Sequence, residues 1–128
     1  VEVRLSGPEA PTILDAPLFL PGGGTILFRA PAPPQASRRN GPERLHGVRS
    51  ASAHDLPSEW WTVPAGGGIP TLLTHLQASG LYASLSPDGR WLVSFSSRGL
   101  FVMAPDGSSL RMLTDDLQEL DGTVDWLP

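Results

Sequence analysis

Four carboxylates crowd one stretch near the C-terminal end, Asp115, Asp116, Glu119 and Asp121, with Asp125 just beyond. At that density they could hold a divalent cation. Calcium takes about six to eight oxygens, and a calcium loop of the EF-hand type needs alternating ligands, a central glycine and a distal glutamate. Asp-Asp-Leu-Gln-Glu-Leu-Asp-Gly lacks that order, so no metal site is assigned. The histidines His46, His54 and His75 form no His-x-x-x-His pair, and the chain has no cysteine to offer thiolate company. Serines are plentiful, yet there is no Gly-x-Ser-x-Gly elbow, and spacing nominates no Ser-His-Asp set. Two glycine triplets, at 22–24 and 66–68, are followed neither by a helical pattern nor by lysine. They read as hairpin turns, not phosphate cradles. The sequence therefore assigns no catalytic residue, no cofactor and no metal ligand, and the expectation is a chain that is not an enzyme.

What remains is charge carried on loops. Arg38, Arg39, Arg44 and Arg49 lie in a proline-rich stretch, 31–58, against Glu43 and Asp55. The acidic stretch supplies Asp115, Asp116 and Glu119. A basic patch beside an acidic one suits a protein partner, so these seven residues are the candidate contacts. The plainer alternative is solvated loop charge that keeps a lysine-free surface in water. A net charge of −4 gives no footprint for nucleic acid. No basic helix suggests a membrane surface, and no apolar run approaches the roughly 20 residues of a membrane helix. No signal peptide is visible, although an opening at Val1 without methionine suggests a processed or truncated N-terminus. The lack of cysteine excludes a disulfide framework without deciding the redox compartment.

The elements that must carry these loops are short. Gly and Pro, fourteen each in 128 residues, punctuate the chain too often for long helices. Four tryptophans and regular apolar runs argue against disorder. The best-formed unit is residues 85–95, LSPDGRWLVSF: a short strand, a tight turn over Ser86-Pro87-Asp88-Gly89, and a second strand from Trp91. Proline presets φ at the second turn position, and glycine accepts the positive φ that follows. Beyond the turn, Trp91, Val93 and Phe95 alternate with Leu92, Ser94 and Ser96, as on a strand with two unlike faces.

That unit recurs. At an offset of forty residues Trp61 falls on Phe101, Gly67 on Gly107, Leu73 on Leu113 and Thr74 on Thr114. Phe19-Leu20-Pro21-Gly22-Gly23 repeats the layout of Leu85-Ser86-Pro87-Asp88-Gly89, and Trp126-Leu127-Pro128 begins it once more. Residues 1–6 alternate and end in Leu-Ser, as a last strand would. With strands labelled a to d within a unit, the organisation is as follows. Residues 1–6 form the last strand of a preceding unit, and 12–76 a first unit with an inserted b–c loop at 31–58. Residues 77–116 form a second unit, and 121–128 the first strand of a following one. Four short antiparallel strands per roughly forty residues is the period of a β-propeller blade. A β-sandwich has similar strand spacing but leaves the repeat unexplained.

Ser86-Pro87-Asp88-Gly89-Arg90-Trp91-Leu92, then 99–103 with Asp106-Gly107, then Leu113-Thr114, resemble the WD40-like, PD-type blade of the TolB propeller family. The resemblance is strong over 81–116, moderate over 59–74 and weaker over 16–30, where Pro21-Gly22-Gly23 lacks the aspartate. It implies an all-β fold and six to eight blades in a closed ring, of which this chain holds two. In that architecture the d–a and b–c connections share one rim. The insert and the stretches 6–15, 75–80 and 115–122 would thus lie together. The implied function is a non-enzymatic interaction module of a larger, extracytoplasmic bacterial protein, whose partner is another protein or the remaining blades. Two alternatives stand beside it: the accessory propeller of a prolyl-oligopeptidase-type serine peptidase, gating substrate access, and a two-blade chain that self-assembles as a homo-oligomer.

Overall fold

Apolar residues at alternate positions, broken every few residues by Gly or Pro, leave the backbone little but short strands and turns. The computed structural model describes residues 2–33, 56–115 and 124–127, and among them there is no helix. Eight strands form two four-stranded sheets, each with its strands antiparallel and in chain order. The first sheet holds β1 (Asp15–Phe19), β2 (Thr25–Pro31), β3 (Ser58–Pro64) and β4 (Thr71–Leu72). The second holds β5 (Tyr82–Leu85), β6 (Leu92–Ser96), β7 (Gly99–Met103) and β8 (Arg111–Thr114). The fold is that of propeller blades.

The turn between β5 and β6 shows how local chemistry ends a strand. Ser86 Oγ donates to Asp88 Oδ1 (2.6 Å) and accepts from the Trp91 N–H (2.9 Å), while the Arg90 N–H reaches the same carboxylate oxygen (3.1 Å). Gly89 takes φ of 70° to close the turn. Because the Trp91 N–H is spent on the serine, β6 begins at Leu92, one residue later than the alternation predicts. Asp106 is held alike by the hydroxyl and N–H of Ser108 in the turn before β8.

The two sheets repeat each other in register as well as in sequence. Phe19 pairs with Ile26 and Ile26 with Val63, just as Leu85 pairs with Leu92 and Leu92 with Met103. Phe28 pairs with Trp61 as Ser94 does with Phe101. Alternation then gives each sheet two apolar faces. Leu27 and Trp60 from the first sheet meet Leu92, Phe101 and Met103 from the second, and Leu76, Ala78 and Leu81 of the connection between the sheets join them. A fully buried aliphatic or aromatic side chain contributes about 1.5–3 kcal/mol. This interface is the main core of the molecule.

One polar contact crosses it. Trp60 Nε1 donates to Ser94 Oγ at 2.9 Å, and both side chains are fully buried. On the opposite face of the first sheet Trp61 packs with Ile26, Phe28, Ala30 and Val63, and residues Val3 and Leu5 lie against them. Its Nε1 is buried with no hydrogen-bond partner among the described residues. Residues 2–6 belong to neither sheet; they contribute a single bridge, Leu5 to Gly68. Residues 124–127 are likewise outside the sheets. There Trp126 Nε1 donates to the Ser84 carbonyl at 3.0 Å, and Ser84 Oγ donates to Asp125 at 3.1 Å.

Two outcomes follow from these contacts. Trp60→Phe and Trp61→Phe remove the same ring volume, so their difference isolates the indole N–H. Urea denaturation should find Trp60→Phe the less stable by about 1–3 kcal/mol, because only there does a buried oxygen lose its donor. The Asp88 carboxyl sits below its ordinary pKa because the Ser86 hydroxyl and then the Arg90 N–H bond to its charged form. A lowered folded-state pKa gives a contribution that is full above the unfolded value and vanishes as pH falls through the folded one. Ser86→Ala should raise the Asp88 midpoint in an NMR titration and leave the Asp106 midpoint unchanged.

Candidate interaction rim

The insert expected at 31–58 is slightly shorter than its predicted bounds. Pro31 and Ser58 are themselves paired at the ends of β2 and β3, and the Ala32 N–H donates to the Pro57 carbonyl at 3.1 Å. The excursion therefore runs from a closed, hydrogen-bonded base. Its arginines, Arg38, Arg39, Arg44 and Arg49, lie outside the described residues, as do Asp116, Glu119, Asp121, His46 and His54. Asp115 is exposed at the end of β8. Its Cα is 3.2 Å from where a Cβ on Gly99 would stand, which places it against the β6–β7 turn. His75 is exposed on the connection between the sheets.

Around the base of the insert the connections are tied to one another. Ser58 exchanges both backbone bonds with Ala78 (3.0 and 3.3 Å). Ser79 and Ser97 are joined twice, Ser97 N–H to the Ser79 carbonyl (2.9 Å) and Ser79 N–H to Ser97 Oγ (3.1 Å). Arg98 Nη1 donates to the Leu76 carbonyl at 2.9 Å. The first b–c base, the d–a connection at 75–80 and the second b–c turn thus form one continuous rim.

The side chain that holds this rim is one that the sequence did not single out. Glu59 is 1% exposed, and its carboxylate accepts from Thr74 Oγ1 (2.7 Å), the Leu76 N–H (2.6 Å) and the Gln77 N–H (2.6 Å). Thr74 Oγ1 in turn accepts from the Trp60 N–H at 3.0 Å. A buried carboxylate is tolerated when its lone pairs are filled, and here three donors fill them. Arg29, 2% exposed, plays a comparable part nearer β5: Nη1 donates to the Leu81 carbonyl (3.1 Å), Nη2 pairs with Asp15, and its guanidinium lies 5.6 Å from the Tyr82 ring centroid. The position forty residues after Glu59 is Gly99. That mismatch was the available signal, a charge inside a strand where the other unit has glycine.

On the first sheet's outer face the rim opens into a hollow of about 350 Å³, lined by residues of 8–13, by Pro31, Ala32 and Pro33, and by Trp61. Among the described residues no three His, Asp or Glu side chains gather as metal ligands. The arrangement is suited to contact, with a mostly apolar floor and walls held by backbone bonds.

Comparison with known proteins adds the fold. No protein-family model matches the chain, and no curated protein does. Among solved structures the chain is similar to "The structure of putative TolB from Agrobacterium tumefaciens", at 22% identity and a TM-score of 0.50. The match covers 86% of this chain and 32% of that one, so the chain spans about a third of its neighbour's length. At that identity the likeness supports the propeller architecture and leaves the activity open.

Glu59→Gln places an amide N–H₂ where a carboxylate receives donors. Bonds to a charged group are worth about 1.5–3 kcal/mol each, so the variant should lose on the order of 2–4 kcal/mol in denaturant titration. Amide exchange at Leu76 and Gln77 should accelerate before that of β6 and β7.

Proposed function

We propose that the chain is a non-enzymatic interaction module of a TolB-like propeller protein, working outside the cytoplasm and binding a protein partner through the rim. The observation that carries this reading is the rim itself, where a charged insert leaves the sheet from a closed base beside the d–a connection at 75–80, pinned by Glu59 and Arg98. Loops presented by a rigid scaffold are where binding residues concentrate. The insert sequence is basic (Arg38, Arg39, Arg44, Arg49) and the stretch from the end of β8 acidic (Asp115, Asp116, Glu119), a pattern that would orient a partner of complementary charge.

The test begins with photo-crosslinkers placed at positions 38 and 44, and the captured partner is then purified for direct titration. Deleting 34–55 should abolish that binding and leave the thermal transition in place. Reversing all four arginines to glutamate should weaken it by about tenfold or more, with a strong salt dependence in the wild type. A deletion that unfolds both sheets, or binding indifferent to the reversal, would sink the assignment.

A further inference from the structure

The two repeats treat the same junction differently. In the second, the connection at 75–80 is bonded to the turn between β6 and β7: Ser97 N–H to the Ser79 carbonyl (2.9 Å), Ser79 N–H to Ser97 Oγ (3.1 Å) and Arg98 Nη1 to the Leu76 carbonyl (2.9 Å). Leu76 and Ala78 pack there in one cluster with Phe101. The first repeat sets residues 8–13 against the base of its insert at 31–33, and among the described residues no hydrogen bond joins the two. The cause is local. Pro8, Pro11, Pro31 and Pro33 have no N–H to give. The Ala10 and Ala32 N–H groups are spent on the Gly7 (3.3 Å) and Pro57 (3.1 Å) carbonyls. The hollow of about 350 Å³ opens in that gap, with both walls from the first repeat and Trp61 between them.

Two features imply an occupant. Trp61 stands where the second repeat has Phe101, forty residues on. A phenyl ring suffices for packing at that position, and the indole adds an N–H. Trp61 is 4% exposed, and its Nε1 has no partner among the described residues. A buried donor left unpaired is costly, and an oxygen delivered into the hollow removes that cost. Glu9 is the other feature. It is exposed, and it is the one charged residue among those that line the hollow.

The geometry points to this hollow as the anchor pocket for the protein partner of the rim. It takes an apolar side chain from an extended segment of that partner, whose own carbonyl accepts from Trp61 Nε1, with a neighbouring Lys or Arg paired to Glu9. This rests on the rim reading above and adds the residue types that the partner must present. Walls interrupted by four prolines offer no edge for strand addition, so recognition falls to the pocket, the indole and the carboxylate. A pocket of this size admits one large side chain with its peptide group, and buried anchors of that kind dominate interface energy. Glu9 disfavours an acidic neighbour, which sets this contact apart from the insert arginines, whose complement is acidic.

The test uses two probes, acetyl-Leu-Arg-amide and acetyl-Leu-Glu-amide. In the 128-residue chain the Trp61 indole N–H resonance, identified among those of the four tryptophans by its loss in Trp61→Phe, should shift saturably with the first. The second should bind about fivefold or more weakly, and Glu9→Gln should abolish that preference. Ala10→Trp fills the hollow and should abolish the shift. Ile13→Lys, on the same wall, serves in its place if Ala10→Trp disturbs the amide spectrum of β2 and β3. The partner captured through positions 38 and 44 should lose about tenfold or more in affinity for the same variant. A Trp61 signal that stays still, equal affinity for the two probes, or unchanged partner affinity in the folded variant would overturn the proposal. So would a shift that appears only after deletion of 34–55, which would make the insert itself the occupant. The dipeptide titration needs no captured partner and the arginine reversal does, so failure here and failure at the rim are distinguishable.

Discussion

The fold described above depends on two sheets meeting face to face with an indole-to-hydroxyl bond inside the contact. The apolar residues around Trp60 and Ser94 supply most of the burial, which is non-directional and would tolerate small sliding of one sheet on the other. The bond does not tolerate it, since an N–H···O contact of 2.9 Å weakens steeply once its distance or angle is lost. Hydrophobic area thus provides the attraction, and the bond selects one alignment from those the area permits.

The buried charges extend the same division of labour to the loops. Neither Arg29 nor Glu59 is a strong argument for stability, because removing a charge from water costs about what its partners return. Their value is geometric. Arg29 reaches across to the Leu81 carbonyl fifty-two residues away, and Glu59 gathers three donors from the segment that leads from the first sheet to the second. The connection buries Leu76, Ala78 and Leu81 in the main core, and these polar bonds fix the course of its backbone between them.

How much of this was legible in the sequence follows from the range of each interaction. Strand positions, the two turns at Asp88 and Asp106, and the repeat register could be read because alternation and turn chemistry act within a few residues. The base of the insert could be read to within a residue, since prolines and the loss of periodicity mark it. Trp91 was placed in a strand because alternation cannot see that Ser86 captures its N–H. Glu59 and Arg29 were missed for a deeper reason: their partners are distant in sequence, and no spacing rule links a strand glutamate to the backbone of residues 76 and 77. Of the candidate contacts only Asp115 falls among the described residues, at the rim by the second b–c turn.

Gly67 and Gly107 have a meaning beyond their turns. At Gly107 the turn before β8 touches Leu73, just past β4, and at Gly67 the turn before β4 touches the backbone of Arg4, at distances a methyl group could not share. Such a contact works as the closed edge of a wedge. Its thickness fixes the angle through which each layer is rotated from the last, and in a circular array that angle determines how many layers return the chain to its start. Two hydrogen atoms, in place of two methyl groups, therefore bear on how closely each sheet approaches the segment packed against it.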